Sequence, residues 1–189
     1  MTKHKTILSY ILVAIIIATT IYPQSPKRSD VPDKYKWNLA EMYPTLADWQ
    51  SDMEKVERSI NDFASYKGKL GESSQNLLNS LNSYFGLLKT FYKAGAYAGN
   101  LSNEDVRISE NQALLQILSA VGTKFGETAS YFEPEILTIP KEKIEKFFNE
   151  KPELNTYSMY IDNIQRLRAH TLSEAEEKIL ASFGLIAEN

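Results

Sequence analysis

The chain has 189 residues, of which 43% are hydrophobic and 11% aromatic, and its formal net charge is −3. This length and apolar content predict one domain of ordinary size with a buried core, and they exclude wholesale disorder. The weak acidity provides no basic surface, which argues against a nucleic-acid partner. Because there is no cysteine, disulfides, thiolate metal sites and cysteine nucleophiles are excluded.

The first 22 residues have the pattern of an export signal or a membrane anchor. Lys3 and Lys5 precede an apolar run over residues 7–22. A basic start before such a run is typical of a signal peptide, although the run is slightly shorter than the roughly 20 residues that cross a bilayer. We predict a signal peptide or membrane anchor at 1–22, with a buried helix as a third alternative. The Pro- and Ser-containing residues 23–34 are predicted to be a linker.

The same segment predicts where the protein resides. If its basic end stays in the cytoplasm, everything after Tyr22 is translocated. We therefore expect an exported protein, periplasmic or extracellular, that is either free or held in the cytoplasmic membrane by this segment. Its membrane contact is then confined to residues 7–22.

From Trp37 onward the apolar spacing is helical. Thr45 and Asp48 have the spacing of a capping box at the start of a first helix. The apolar face of this helix is formed at intervals of four and three by Trp49, Met53, Val56, Ile60 and Phe63. Gly68 and Gly71 are predicted to end it, with Leu70 folded back onto the core.

Two long helices are predicted next. One begins near Ser73 or Ser74 and ends before a polar turn at residues 100–105; the other runs from about Asp105 to Phe132. The first has an apolar stripe of Leu77, Leu78, Leu81, Phe85, Leu88, Phe91 and Tyr92, followed by Ala94, Ala96 and Ala98. The second has a stripe of Val106, Ala113, Leu114, Ile117, Leu118, Val121 and Phe125. Gly122 and Gly126 indicate either a tight helix crossing or glycines tolerated on a solvated side.

Shorter helices complete the chain. Pro134 is expected to break the third helix, and Pro140 to open a short one with Thr138 near its cap. Pro152 opens another helix that ends near Leu167. A last helix starts at Thr171 or Ser173, has Glu174, Glu176 and Glu177 in its first turn, and carries the apolar residues Ile179, Leu180 and Phe183. Since no stretch alternates with a period of two, the fold class is all-α: an antiparallel bundle of long and short helices behind an N-terminal hydrophobic export segment.

The sequence offers no catalytic constellation. An HExxH zinc site needs two histidines one helical turn apart, but His4 and His170 stand alone and far apart. Glu133 and Glu135 flank Pro134 and are expected to face different ways. Residues 68–71 are too short for a phosphate loop. We therefore predict no catalytic residue and no metal ligand in this chain, and the sequence leaves its substrate-binding residues unknown.

Four sequence segments, which follow one another along the chain, carry a family resemblance. They are KYKWNLAEMYP at 34–44, SYKGKL at 65–70, YFEPEILTIPKEKIEKF at 131–147 and YIDNIQRLRAHTLSEAEEKILA at 160–181. Together they resemble the N-terminal region of the oligoendopeptidase F family. The resemblance implies an all-helical zinc metallopeptidase that hydrolyses oligopeptides in a deep channel, with zinc bound by an HExxH helix and a downstream Glu. Those residues are missing from this chain, so none can be carried over.

The resemblance predicts that residues 35–189 form a helical oligopeptidase F-like N-terminal domain, truncated at its C-terminus, that acts as a channel wall or lid. It is expected to be inactive alone and without a cofactor, zinc belonging to the full-length enzyme. Its expected partners are oligopeptides or a missing or separate catalytic domain. A stand-alone exported helical module that binds peptides or a partner protein is the alternative.

Several residues have competing interpretations. Trp37 and Trp49 are predicted as core anchors rather than substrate platforms. Arg166, Arg168 and His170 are predicted to form a cationic helix end rather than a site for a peptide carboxylate. One or two of five tyrosines are candidates for lining a channel: Tyr35, Tyr43, Tyr84, Tyr92 and Tyr97.

N-terminal sequencing of the mature protein tests the export segment. We expect a start beyond the apolar run, because signal peptidase removes a leader of this type. A start at Met1 would exclude the cleaved signal and leave the anchor or the buried helix.

Overall fold

The structure is a computed structural model that describes residues 28–168, which belong to two compact units. The described part of the first unit, residues 28–38, contains the 3₁₀ helices Arg28–Asp30 and Asp33–Tyr35. Lys36 Nζ lies 2.9 Å from a carboxylate oxygen of Asp33. Trp37 is 69% exposed. The prediction of Trp37 as a core anchor is therefore wrong.

The second unit begins with the 3₁₀ helix Leu39–Glu41 and helix α1, Leu46–Ala64. A complete capping box starts α1: the Asp48 amide donates to Thr45 Oγ1 at 3.2 Å, and the Thr45 amide donates to the Asp48 carboxylate at 3.0 Å. All five residues predicted for its apolar face are buried. The turn that follows has Gly68 at φ +81° and a fully buried Leu70, as predicted.

Helices α2, Ser74–Glu104, and α3, Ser109–Ala129, pack against α1 and against each other. Ser73 caps α2 by accepting a hydrogen bond from the Asn76 amide at 3.1 Å. The predicted turn at residues 100–105 is wrong, because α2 continues to Glu104. The turn lies at residues 105–108, where hydrogen bonds from Arg107 lower the pKa of Asp105 to about 2.

The predicted stripes of α2 and α3 are only partly buried. Leu77, Leu78 and Leu81 are in the core, as are Ala94 and Ala98. The exposed members of the stripes and of the alanine series are Tyr92, Ala96, Val106, Ala113 and Ile117. Val106 is exposed because it lies in the turn before α3 rather than in the helix.

Three short helices follow: α4, Phe132–Thr138; α5, Lys141–Glu150; and α6, Ser158–Leu167, which is preceded by the 3₁₀ helix Pro152–Tyr157. Pro134 lies inside the first turn of α4, where its missing amide costs no helical hydrogen bond. Pro140 is the cap of α5 rather than its first residue, and Thr138 belongs to the end of α4. The third helix thus ends at Ala129 rather than at Pro134, and α5 begins one residue later than predicted.

Residues 28–168 contain helices, turns and no strand, so the all-α class is confirmed for this part of the chain. None of the helices described within this range combines the length and apolar character needed to span a bilayer. The predicted export segment at 1–22, residues 23–27 of the linker and the last helix lie outside the described residues.

The two glycines of α3 have different surroundings. A Cβ atom on Gly122 would lie 2.9 Å from Cζ of Phe91 on α2, whereas one on Gly126 would meet nothing within 4 Å. The tight crossing predicted from this pair is therefore present at Gly122, and Gly126 fits the alternative of a tolerated glycine.

The two glycines give a matched test. Gly126→Ala should raise the free energy of unfolding by about 0.5–1 kcal/mol through helix propensity. Gly122→Ala should give less, or destabilise, because the Phe91 ring must move. Urea denaturation of both variants measures the difference. Equal stabilisation would show that the crossing tolerates a methyl group.

Candidate functional site

An aromatic cluster joins the three long helices to the short ones. Phe63 of α1 lies at its centre, with ring centroids 5.2 Å from Phe132 of α4 and 6.4 Å from Phe125 of α3. Tyr84 of α2 lies 4.6 Å from Phe132 and 6.2 Å from Tyr160 of α6. Rings at such distances pack favourably beyond the area that they bury. The cluster therefore fixes α4 and α6 on the three-helix core.

Three hydroxyl groups in or beside this cluster have structural partners. Tyr131 donates to the Phe63 carbonyl at 2.9 Å, Tyr157 to the Asn82 side chain at 2.6 Å and Tyr160 to the Glu133 carboxylate at 3.0 Å. Burial raises the pKa of Tyr131 and of Tyr160 above its usual value. Tyr131 and Tyr160 therefore stay neutral near pH 7 and can hold the fold as hydrogen-bond donors.

Tyr43 belongs to the core rather than to a channel. Its ring meets Tyr97 edge to face at 5.2 Å, and Lys93 Nζ lies 4.0 Å from its centroid. Its hydroxyl is buried without a well-formed hydrogen bond in the described region. Burial, and then the neighbouring Asp52 carboxylate, raises the pKa of Tyr43.

The other tyrosines considered for a channel divide by exposure. Tyr97 is buried and Tyr84 is half-buried in the aromatic cluster, whereas Tyr35 and Tyr92 are exposed. The exposed Tyr92 ring lines neither the cavities between the long helices nor the one at the Glu135 turn. The tyrosines of the second unit therefore do not converge on one site.

The two carboxylates that flank Pro134 face different ways, as predicted. Glu133 accepts the Tyr160 hydroxyl, whereas Glu135 accepts the backbone amides of Gly68 and Leu70, both at 2.7 Å. Glu135 thus ties the turn after α1 to α4. Neither arrangement resembles the facing pair of carboxyl groups that sugar hydrolysis requires.

The cationic residues at the end of α6 also have structural partners. Arg168 donates to the carbonyl oxygens of Leu137 and Ile139, both at 2.6 Å, which satisfies the exposed end of α4. Arg166 pairs with Asp162 one turn earlier. The interpretation of these two arginines as a cationic helix end is supported, and His170 lies outside the described residues. Trp49 is fully buried, which confirms it as a core anchor.

Several cavities lie on the described part of the second unit, and three of them are well formed. One of about 510 Å³ adjoins the Glu135 turn, and one of about 320 Å³ lies between α1 and α2. The third, about 400 Å³, lies between α1 and α3 and is called the α1–α3 groove. Its lining residues are Trp49, Gln50, Met53, Glu54, Glu57, Ile117 and Val121. An apolar floor with a few polar groups at the edge is the usual make-up of a ligand site, so the α1–α3 groove is the candidate site.

No pattern in the sequence indicated this groove. Its two carboxylates, Glu54 and Glu57, border the apolar stripe of α1 and were not distinguished from other solvated charges. The groove exists only because α3 lies beside α1 and brings Ile117 and Val121 opposite them. No pattern within either helix specifies that pairing.

The described residues do not fit a zinc site. Residues 28–168 contain neither histidine nor cysteine, and they contain no group of three or more carboxylates placed to hold a metal ion. An HExxH centre needs imidazole ligands and an acidic third ligand. No catalytic step is therefore assigned to this part of the chain.

The Glu135 contact predicts a stability effect. Glu135→Gln should lower the free energy of unfolding by about 1–3 kcal/mol, because an amide replaces one of the two charged acceptors with a donor facing a backbone amide. Glu133→Gln is the matched control, since its amide oxygen can still accept the Tyr160 hydroxyl. Chemical denaturation measures both, and equal losses would contradict the assignment.

Comparisons with known proteins agree with this architecture. A family model described as Oligopeptidase F matches residues 135–189. Oligopeptidase PepF of Bacillus subtilis is 33% identical over 158 residues, 84% of this chain and 24% of its own length. Group B oligopeptidase PepB of Streptococcus agalactiae is 29% identical over 168 residues, 87% of this chain and 28% of its own length.

Two solved structures share the fold. Oligoendopeptidase-F from Enterococcus faecium superposes with a TM-score of 0.62 at 28% identity, over 75% of this chain and 28% of that one. A putative peptidase from Chlamydophila abortus gives a TM-score of 0.69 at 25% identity, over 84% and 27%. The chain thus spans about a quarter of the length of the relatives that it matches. Its motifs, helical fold and matches show that it belongs to the oligoendopeptidase F family and corresponds to the N-terminal region of that family.

Proposed function

We propose that this chain forms the N-terminal wall or lid of the peptide channel in an oligoendopeptidase F-like zinc metallopeptidase that hydrolyses oligopeptides. The observation that carries the proposal is the match to relatives named as oligopeptidases over 84% of the chain. Because residues 28–168 do not fit a zinc site, the catalytic zinc belongs to another part of the enzyme.

The packing of the second unit supports a role as a wall. Helices α1, α2 and α3 share one core, and the aromatic cluster and the Glu135 contact attach the shorter helices to it. A close-packed element of this kind has low compressibility and resists deformation. Such a wall can admit flexible peptides and exclude folded proteins by size, which is gating rather than chemistry.

We also propose that the protein is exported. The basic residues Lys3 and Lys5 before the apolar run at 7–22 support this. The peptide substrates would then be extracytoplasmic.

A chimera tests the wall. In PepF of B. subtilis, the stretch that matches this chain is replaced by residues 35–189. We expect the chimera to cleave a quenched fluorescent oligopeptide in a chelator-sensitive manner and to leave folded proteins intact, because the wall restores the channel. The control is PepF that lacks the stretch, and the isolated chain with added zinc should give no turnover. A folded, zinc-loaded chimera without peptide cleavage would reject the proposal, as would chelator-sensitive cleavage by the chain alone.

A further inference from the structure

The α1–α3 groove has an apolar base and an acidic edge. Met53 and Val121 form its floor, and both are nearly fully buried. Ile117 of α3 borders it and remains 43% exposed, which is high for an isoleucine beside a core. Glu54 and Glu57 stand one helical turn apart on the α1 side.

The charges in this groove are one-sided. Its lining has two carboxylates and no basic residue. Glu54 lies 3.7 Å from Arg58, but both side chains are largely exposed, so solvent screens this pair. Within residues 28–168, Glu57 takes part in no ion pair. The groove therefore carries a negative charge that its own lining does not neutralise.

We propose that the α1–α3 groove binds a lysine or arginine side chain of an oligopeptide. The aliphatic stem of such a side chain can cover Met53, Ile117 and Val121 while its cationic end reaches Glu54 and Glu57. A purely apolar side chain would remove water from the carboxylates without giving them a partner, and an acidic one would be repelled. This inference rests on the proposed function for the class of ligand, a peptide, and adds a charge preference.

The other two cavities show no such preference. In the cavity between α1 and α2, Asp52 is already paired with Lys55 at 2.9 Å. In the cavity near the Glu135 turn, the Glu135 carboxylate accepts hydrogen bonds from two backbone amides, and Lys67 and Lys143 also line this cavity. Their acidic groups are thus matched by donors within the protein.

Binding of labelled peptides tests the proposal. Fluorescein-labelled octapeptides that differ only at a central Arg, Leu or Glu are titrated with the full chain, and fluorescence anisotropy gives each Kd. We expect the Arg peptide to bind most tightly and the Glu peptide most weakly. Glu54→Gln/Glu57→Gln should weaken the Arg peptide by about threefold to thirtyfold and abolish the preference.

The matched control is Glu142→Gln/Glu145→Gln, which makes the same charge change at the same spacing on the exposed side of α5. It should leave the preference for Arg intact. Equal binding of the three peptides, no binding of any, or the same weakening in the control would overturn the proposal. If the PepF chimera still cleaves peptides in those cases, the groove inference alone fails. If the chimera is inactive while the Arg preference persists, only the proposed role as a channel wall is rejected.

Discussion

The packing of the second unit depends on the indole of Trp49. This side chain is fully buried, and its Nε1–H donates to the carbonyl oxygen of Ala94 at 2.9 Å, across 45 residues of sequence. A helical carbonyl has a second lone pair, so Ala94 can accept this bond without losing its place in α2. The bond fixes α1 to α2 in one register. From the same position Trp49 reaches the α1–α3 groove, so one side chain positions two helix contacts.

Polar side chains form hydrogen bonds to backbone groups that the apolar core cannot satisfy. Glu135 satisfies two amides of the tight turn around Gly68, and Arg168 satisfies two carbonyl oxygens at the C-terminal end of α4. Tyr131 gives the carbonyl of Phe63 a second hydrogen bond, beside the one from the Tyr66 amide. Each bond links short, irregular segments to a helix, where unpaired backbone groups would otherwise be costly to bury. The four sequence segments that carry the family resemblance include all three of these side chains.

The part of the fold that could be predicted is the part set by nearby residues. Helix α1 was predicted with its cap and its buried face because the Thr45–Asp48 box and the four-and-three spacing both act within a few turns. The end of α2 was not predicted, because Asn111 and Gln112 of α3 bond Leu101 and Ser102 and make a polar stretch helical. Trp37 was assigned to the core from its type alone. The groove depends on which helices become neighbours, and that choice is tertiary.

The length of α2 has a mechanical consequence. Its 31 residues contact α1, α3, α5 and the 3₁₀ helix Pro152–Tyr157, and a helix of that length is about 46 Å long. If α2 moves as a rod, a tilt of about 5° displaces its far end by roughly 4 Å. A small change of angle at one end of α2 would thus move its other end by a distance close to the roughly 4.8 Å that separates neighbouring extended strands.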